Sequence, residues 1–421
     1  MKYASVLLAV SCLLSAVEAQ WLETTVYLDS ASRPSALCYN PRDNKVYCAN
    51  GGGHVTVIDG ATNQVITTVT AERYPRALCY NAQNNKVYCA NYGGNVTVID
   101  GATDSVVATV PVGSDPRALC YNPDDNKVYC ATRAGVAVID GATNGVLTTV
   151  AAGYDPWALC YNPQNNKVYC SHNSGNTVTV IDGATNQVIA TVTAGPTLLA
   201  LCYNHQNNKV YCLSYDGCDV AVIDGATDSV VAKVPTGGAQ SPQALCYNPL
   251  DNKVYCSNAY GDNVTVISGA TNRVVTTVTT GDSPGALYYN LQNNKVFCAS
   301  YNSDDVTVID GASNQVLQTI GVGAGPCSFT WNPAQNRVYV ANYGSSSISV
   351  LRDSAGGVEE MANGERRMAD SGPSVLRSLP AGAVVFDAMG RRVSNPTSGV
   401  YFLTENGTRS AVHVRKVVVQ H

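Results

Sequence analysis

The chain has 421 residues, 45% of them hydrophobic and only 14% charged, with a net charge of −5. That is enough apolar sequence for a sizeable core and too little charge for a disordered chain. The acidic balance argues against a general binder of nucleic acid or anionic membranes. With 36 Gly and 25 Tyr but 4 Phe, 4 Met and 3 Trp, the composition favours strands and turns over helices.

The first element is a leader. Lys2 gives a short positive region, Ala4 to Val17 is apolar, and Val17-Glu18-Ala19 before Gln20 fits a small-x-small cleavage site, so residues 1–19 read as a secretory signal peptide. A lipoprotein reading would use Cys12, but apolar residues continue beyond it. The segment is too short to span a bilayer comfortably, and no other stretch is long and apolar enough, so no transmembrane span is expected in the mature chain. The expected address is secreted or cell-surface, an oxidising environment.

From Thr24 onward one unit repeats. In its first copy, Ala36-Leu37-Cys38-Tyr39-Asn40-Pro41 leads to Asn44-Lys45-Val46-Tyr47-Cys48-Ala49-Asn50, then Val55-Thr56-Val57-Ile58-Asp59-Gly60-Ala61-Thr62, then Val65-Ile66-Thr67-Thr68-Val69. The Asp of Ile-Asp-Gly recurs at 59, 100, 140, 182, 224 and 310, with Ser268 in the sixth place, at spacings of 40 to 44 residues. Each unit holds four β-rich runs, a to d, joined by an Asn-Pro-x-x-Asn turn, a Gly/Asn-rich loop and an Asp-Gly-Ala-Thr turn. Three hairpins per unit of this length predict a four-stranded propeller blade. Strand a begins eight times, near Ala36, Ala77, Ala118, Ala158, Ala200, Ala244, Ala286 and Ser328. The last unit lacks a d strand, and Thr24-Thr25-Val26-Tyr27-Leu28 supplies that pattern at the other end. The expectation is therefore an all-β, eight-bladed propeller over residues 20–353, closed by its N-terminal strand, with seven blades as the alternative.

The Val-Tyr-Cys-Ala-Asn and Val-Thr-Val-Ile-Asp-Gly-Ala-Thr-Asn runs resemble YVTN-type β-propeller repeats, and Val338-Tyr339-Val340-Ala341-Asn342 is the nearest copy. The cysteines in strands a and b depart from that pattern. The resemblance implies a binding or scaffold module on a cell surface or in a periplasm. Related propellers include lactonases, so a secreted hydrolase or lactonase with its site in the central channel is the alternative.

Three recurring residue sets invite roles. Lys45 falls opposite Asp59, as Lys86 does Asp100 and Lys167 does Asp182, which predicts a cross-strand ion pair; a cation ring for acidic partners is the other reading. The tyrosines, such as Tyr39 with Tyr47, read as packing between blades. Six blades carry cysteines ten residues apart, as Cys38/Cys48 and Cys79/Cys89. Their spacing is not that of a zinc site. If Asn40 pairs with Val46 the sulfurs lie opposite and can bridge; if it pairs with Asn44 they are diagonal and stay free thiols, the reading that the Pro-started turn favours.

Ligand recognition is expected in the loops of the face shared by the d–a and b–c connections. After the d–a prolines come Arg76, Arg117 and Trp157 in successive blades. On the b–c side stand Tyr92, Arg133, His172, Tyr215, Tyr260, Tyr301 and Tyr343. Aromatics with Arg suit a glycan, peptide or protein ligand; ordinary loop decoration is the bland reading. His-Glu-x-x-His and phosphate-loop motifs do not occur, and no catalytic residue, metal ligand or cofactor is assigned.

Beyond Leu351 the repeat stops. Residues 354–373 read as a linker and 374–421 as a small β-sandwich-like module. Asp387-Ala388-Met389-Gly390-Arg391-Arg392-Val393, Gly399-Val400-Tyr401-Phe402 and Arg415-Lys416-Val417-Val418-Val419 resemble the C-terminal sorting domain of type IX secretion cargo. That resemblance implies delivery through an outer-membrane translocon of a Gram-negative-type envelope.

Overall fold

Runs of Val, Thr and Ile broken every six or seven residues by Asn, Asp, Gly or Pro leave the chain no option but short strands and tight turns. In a computed structural model, which describes residues 20–29, 32–237 and 241–353 in full and seven short strands between 358 and 419, they form eight four-stranded antiparallel sheets. Blade 1 comprises Pro34–Asn40 (a), Lys45–Asn50 (b), His54–Asp59 (c) and Val65–Thr70 (d). Blades 2 to 7 repeat this order, and the successive a strands touch one another in a closed ring around the axis. Blade 8 joins Pro326–Asn332, Arg337–Asn342 and Ser347–Asp353 to Gln20–Tyr27, so the count is eight and the seven-bladed alternative falls. The closing strand is longer than its pattern suggests, pairing from Gln20 with Asp353 to Tyr27 with Ser347. The leader, residues 1–19, lies outside the described residues.

The apolar core is divided into eight clusters, one at each junction between neighbouring blades. Strands b and c are almost wholly buried, and the d strands face solvent. In blades 1 to 7 strand d carries a bulge just after its start, where the exposed Val65 and Ile66 have their counterparts. The bulge interrupts an edge that could otherwise recruit another strand.

The turns follow their residues. Asn44 and its seven equivalents, Asn85 to Asn336, all take left-handed φ between 49° and 54°, which Asn tolerates. In the c–d turn, Asp59 Oδ1 accepts the amides of Ala61 (2.8 Å) and Thr62 (2.7 Å). The Gly60 beside it serves close approach: a Cβ there would lie 2.5 Å from Asn44 Oδ1 and 2.6 Å from Asn332 Nδ2.

What passes beside Gly60 is a ring. The Asn ending each a strand donates its amide to the turn Asn of the next blade: Asn40 to Asn85, Asn81 to Asn126, Asn122 to Asn166, Asn162 to Asn208, Asn204 to Asn252, Asn248 to Asn294, Asn290 to Asn336, and Asn332 back to Asn44. The donors are fully buried, and the circuit closes through all eight blades.

Two expectations are corrected. Lys45 and Asp59 do occupy opposed positions, but they form no pair. Lys45 Nζ crosses to blade 2 and binds the Gly101 carbonyl (2.9 Å), the Ala102 carbonyl (3.2 Å) and Asp104 (2.8 Å). Tyr47 OH donates to the same Asp104 (2.7 Å). Lysine's stem is long enough to span the junction, and Asp59 Oδ1 is already engaged by its own turn. The cysteine register is the second correction. Asn40 pairs with Lys45, so Cys38 faces Tyr47 and Cys48 faces Leu37. That single-residue offset puts the two sulfurs on opposite faces of the blade. In blade 3, Cys120 packs into the junction with blade 4 and Cys130 into that with blade 2. The described cysteines are free thiols.

In the C-terminal unit, Val358–Glu360 pairs with Arg366–Met368, within the stretch expected to be a linker. Ser374–Leu376, Val384–Phe386, Arg392–Val393, Gly399–Asn406 and Val412–Val419 form one five-stranded sheet. Asp387 to Arg391 of the sorting-like motif lie outside the described residues.

Candidate functional site

The antiparallel order places the d–a and b–c loops on one face, here called upper, and the two loop sets hydrogen-bond to each other, as Gly51 N to Arg33 O (3.1 Å) and Ala71 N to Gly53 O (3.0 Å). A residue at or just ahead of the start of strand a is left-handed in every d–a loop, including Tyr74 (φ 52°), Asp115 (57°) and Asp155 (59°), each of which precedes a proline. This kink lifts the side chain before the proline onto the upper surface, beside the one that follows it.

Over blades 2 to 4 these residues make a ladder. Arg76 reaches Asp115 (3.1 Å); Arg117 grips Asp115 through Nε (2.9 Å) and Nη2 (2.5 Å) and Asp155 through Nη1 (2.5 Å). Burial works against the Arg117 charge, but Asp115 and Asp155 outweigh it and raise its pKa. Each guanidinium also covers a ring: Arg76 stands 4.4 Å from the Tyr92 centroid and Arg117 4.7 Å from that of Trp157. Tyr74 meets Tyr92 edge-on at 6.4 Å, and Arg73 lies over Tyr74 at 5.9 Å. Beside Tyr74 opens a cleft of about 430 Å³ bounded by Gly51, Gly53, Glu72 and Arg73. Two Arg and two Asp leave the ladder itself neutral, with donors and acceptors fixed in alternation next to exposed aromatic rings.

The expected site residues therefore divide. Arg76, Arg117, Trp157 and Tyr92 come together. Arg133 stands exposed nearby, beside Tyr154. Tyr215, Tyr301 and Tyr343 belong to other blades, and Tyr343 receives Arg33 at 6.0 Å. Two of the b–c assignments are displaced by one residue. His172 ends strand b, where blade 2 has Asn91, and is buried with Nδ1 2.7 Å from Thr177 O. Tyr260, 79% exposed, lies one residue beyond the counterpart of Tyr92, which is Ala259. Asp115, Asp155, Arg73 and Tyr74 were missed; all precede or flank the d–a prolines, the side of the loop that the sequence reading left out. Among the described residues, no three His, Cys, Asp or Glu side chains converge to hold a metal, and no helix is long and apolar enough to cross a membrane.

No known family's sequence pattern matches the chain, and no curated protein matches it. Solved structures do. It is similar to the computationally designed Ika8 protein, at 21% identity and a TM-score of 0.66 over 79% of this chain and all (100%) of that one. Saccharomyces cerevisiae Sqt1 gives 14% identity and a TM-score of 0.68 over 79% of this chain and 99% of its own. Hydrazine synthase of Kuenenia stuttgartiensis gives 18% and 0.57 over 79% and 98%. At these identities the likeness is one of fold: the chain is a β-propeller.

Proposed function

We propose that this propeller is a secreted or surface-displayed binding module of the YVTN-repeat type, and that its upper face over blades 1 to 4 takes a neutral, hydroxyl-rich ligand, a glycan. The observation that carries this reading is the Arg76–Asp115–Arg117–Asp155 ladder set against Tyr92 and Trp157. Aromatic faces suit the apolar side of a sugar ring, and fixed alternating donors and acceptors suit its hydroxyls. A free anion is favoured less, because each ladder arginine already holds a carboxylate. The leader and the sorting-like strands support export and outer-membrane delivery.

A glycan array probed in parallel with a peptide array tests the site. Binding to saccharides that W157A and Y92A each weaken at least tenfold is the expected result; binding confined to peptides, or unaffected by both substitutions, refutes the glycan reading. Removal of residues 374–421 tests the address: the propeller folds but is retained in the periplasm, and normal surface delivery of the truncated chain refutes the sorting role.

A further inference from the structure

Under the upper hairpin of each blade, four side chains share one buried face. In blade 6 they are Cys256, Asn258, Asn263 and Thr265, with Asn258 opposed to Asn263 and Cys256 to Thr265. The Asn258 amide satisfies the set, donating to Asn263 (2.8 Å) and Thr265 (2.9 Å). Blade 2 repeats this with Asn91, Asn95 and Thr97 (2.9 Å each).

Blade 7 keeps the geometry and changes the chemistry. Its four are Cys298, Ser300, Asp305 and Thr307, in the same opposition. Asn to Ser removes the amide donor, and Asn to Asp removes another and adds a charge. Ser300 and Thr307 are 0% and 1% exposed. Ser300 Oγ, Asp305 Oδ1 and Thr307 Oγ1 all lack a hydrogen-bond partner among the described residues. No described Lys or Arg pairs with Asp305. The d–a loop closes over the carboxylate at Gly281, where a Cβ would lie 2.5 Å from both Asp305 oxygens.

Three oxygens on one buried face, one of them anionic, have no hydrogen-bond partner among the described residues, a need that a positive ligand would meet. We propose that blade 7 binds a small hard cation of the Ca²⁺ class through the Asp305 carboxylate and the Ser300 and Thr307 hydroxyl oxygens, with main-chain or water oxygens completing the shell. Cys298 below is no ligand for such a cation, because a hard cation takes oxygen and not sulfur. Blade 5 serves as an internal control. It also carries Ser and Asp, at Ser214 and Asp219, and Asp219 Oδ1 is likewise buried without a partner, but Ser214 Oγ donates to the Pro196 carbonyl (2.7 Å), Ala221 replaces the threonine, and Lys233 supplies a positive charge.

The test compares the full chain with S300N/D305N, which transplants the blade 6 pair, after dialysis against Ca²⁺, Mg²⁺ or a chelator. Expected are about one equivalent of bound Ca²⁺ by mass spectrometry and a melting temperature that rises with Ca²⁺ concentration. Both are lost in S300N/D305N and kept in S214N/D219N. Should the double variant not fold, D305N, which keeps the volume, gives the same comparison. No bound metal and an unchanged melting temperature in the unaltered chain overturn the proposal and leave an ordered water as the bridge.

Discussion

Asparagine is the residue on which the ring turns. Asn122 donates to Asn166 (2.9 Å) and to Asp125 (3.0 Å), and its own oxygen accepts the amides of Asp124 (2.9 Å) and Asp125 (3.3 Å). It is fully buried, so truncation leaves several groups unpaired at once. We predict that N122A costs about 2–4 kcal/mol by denaturant unfolding, whereas N84A, on the more exposed part of a neighbouring turn, costs about 1 kcal/mol or less. The recurrence of these asparagines was legible in the sequence. Their partners were not, because register shows what lies across a ladder, while the partner of Asn122 lies across a blade junction. The same limit misassigned Lys45. The thiols give a second prediction. Burial raises Cys38 to about 12 and Cys327 to about 11, so native protein at pH 8 reacts slowly with alkylating reagents. Denatured without reductant, the mature chain is expected to take up label at all its cysteines; peptides joining Cys38 to Cys48 would contradict the register.

At the level of the hairpin, the c–d turn shows how a repeated motif sets a pH response. The carboxyls of Asp59, Asp100, Asp140 and Asp224 are held below the ordinary aspartate range, first by the amide of the following Thr, and Asp182 first by the Thr185 hydroxyl. A depressed folded pKa contributes stability that is present above the unfolded value, about 3.9, and is lost as pH falls through the folded one. Each turn is largely exposed, so each contribution is small, but five titrate together. Blade 6 shows the neutral version, where Ser268 Oγ accepts only from Thr271 N (3.2 Å). In blade 5, Asp224 accepts from Ala226 (3.0 Å) and from the amide (2.9 Å) and hydroxyl (3.0 Å) of Thr227. D224S is therefore expected to destabilise by about 0.5–1.5 kcal/mol at pH 7 and by progressively less as the pH falls below the unfolded value, read from urea midpoints across that range. Strands and turns of this kind were readable from alternation and Asn/Asp/Gly/Pro placement. The loop crown was only half readable, because the kink before strand a brings Tyr74 and Asp115 up beside Arg76 and Arg117, and no local pattern announces it.

Closure of the whole ring is concentrated at two junctions where the repeat breaks. Between blades 7 and 8 the c–d turn that every other blade offers its neighbour is absent, and Asp353 stands in for it. Lys295 Nζ meets Asp353 Oδ1 at 2.7 Å with side chains 1% and 0% exposed, and Asn290 donates to Oδ2 at 2.7 Å. Between blades 8 and 1 an arginine replaces the lysine: Arg337 Nη1 binds the Gly60 (2.8 Å) and Ala61 (2.7 Å) carbonyls, while Nε takes Glu23 at 2.9 Å. Glu23 sits at the one register shift of the closing strand, which turns it toward Arg337 and Arg352. Removing one member of a buried pair strands the other, so D353A is expected to cost about 3–5 kcal/mol, while K295M/D353L, which removes both charges, costs less than D353A alone. Deleting residues 20–28 acts on a larger scale. It removes the Glu23 contacts and bares the full edge of Ser347–Asp353, where Ile348, Val350 and Leu351 are now buried. An open ring loses the cooperativity that adjacent blades lend one another, and its exposed edge pairs with other chains. The expected outcome is a melting temperature lowered by more than that of either charge variant, together with concentration-dependent aggregation in light scattering. A truncated chain that melts with the intact one would mean that the asparagine ring and the blade junctions hold the circle without its last strand.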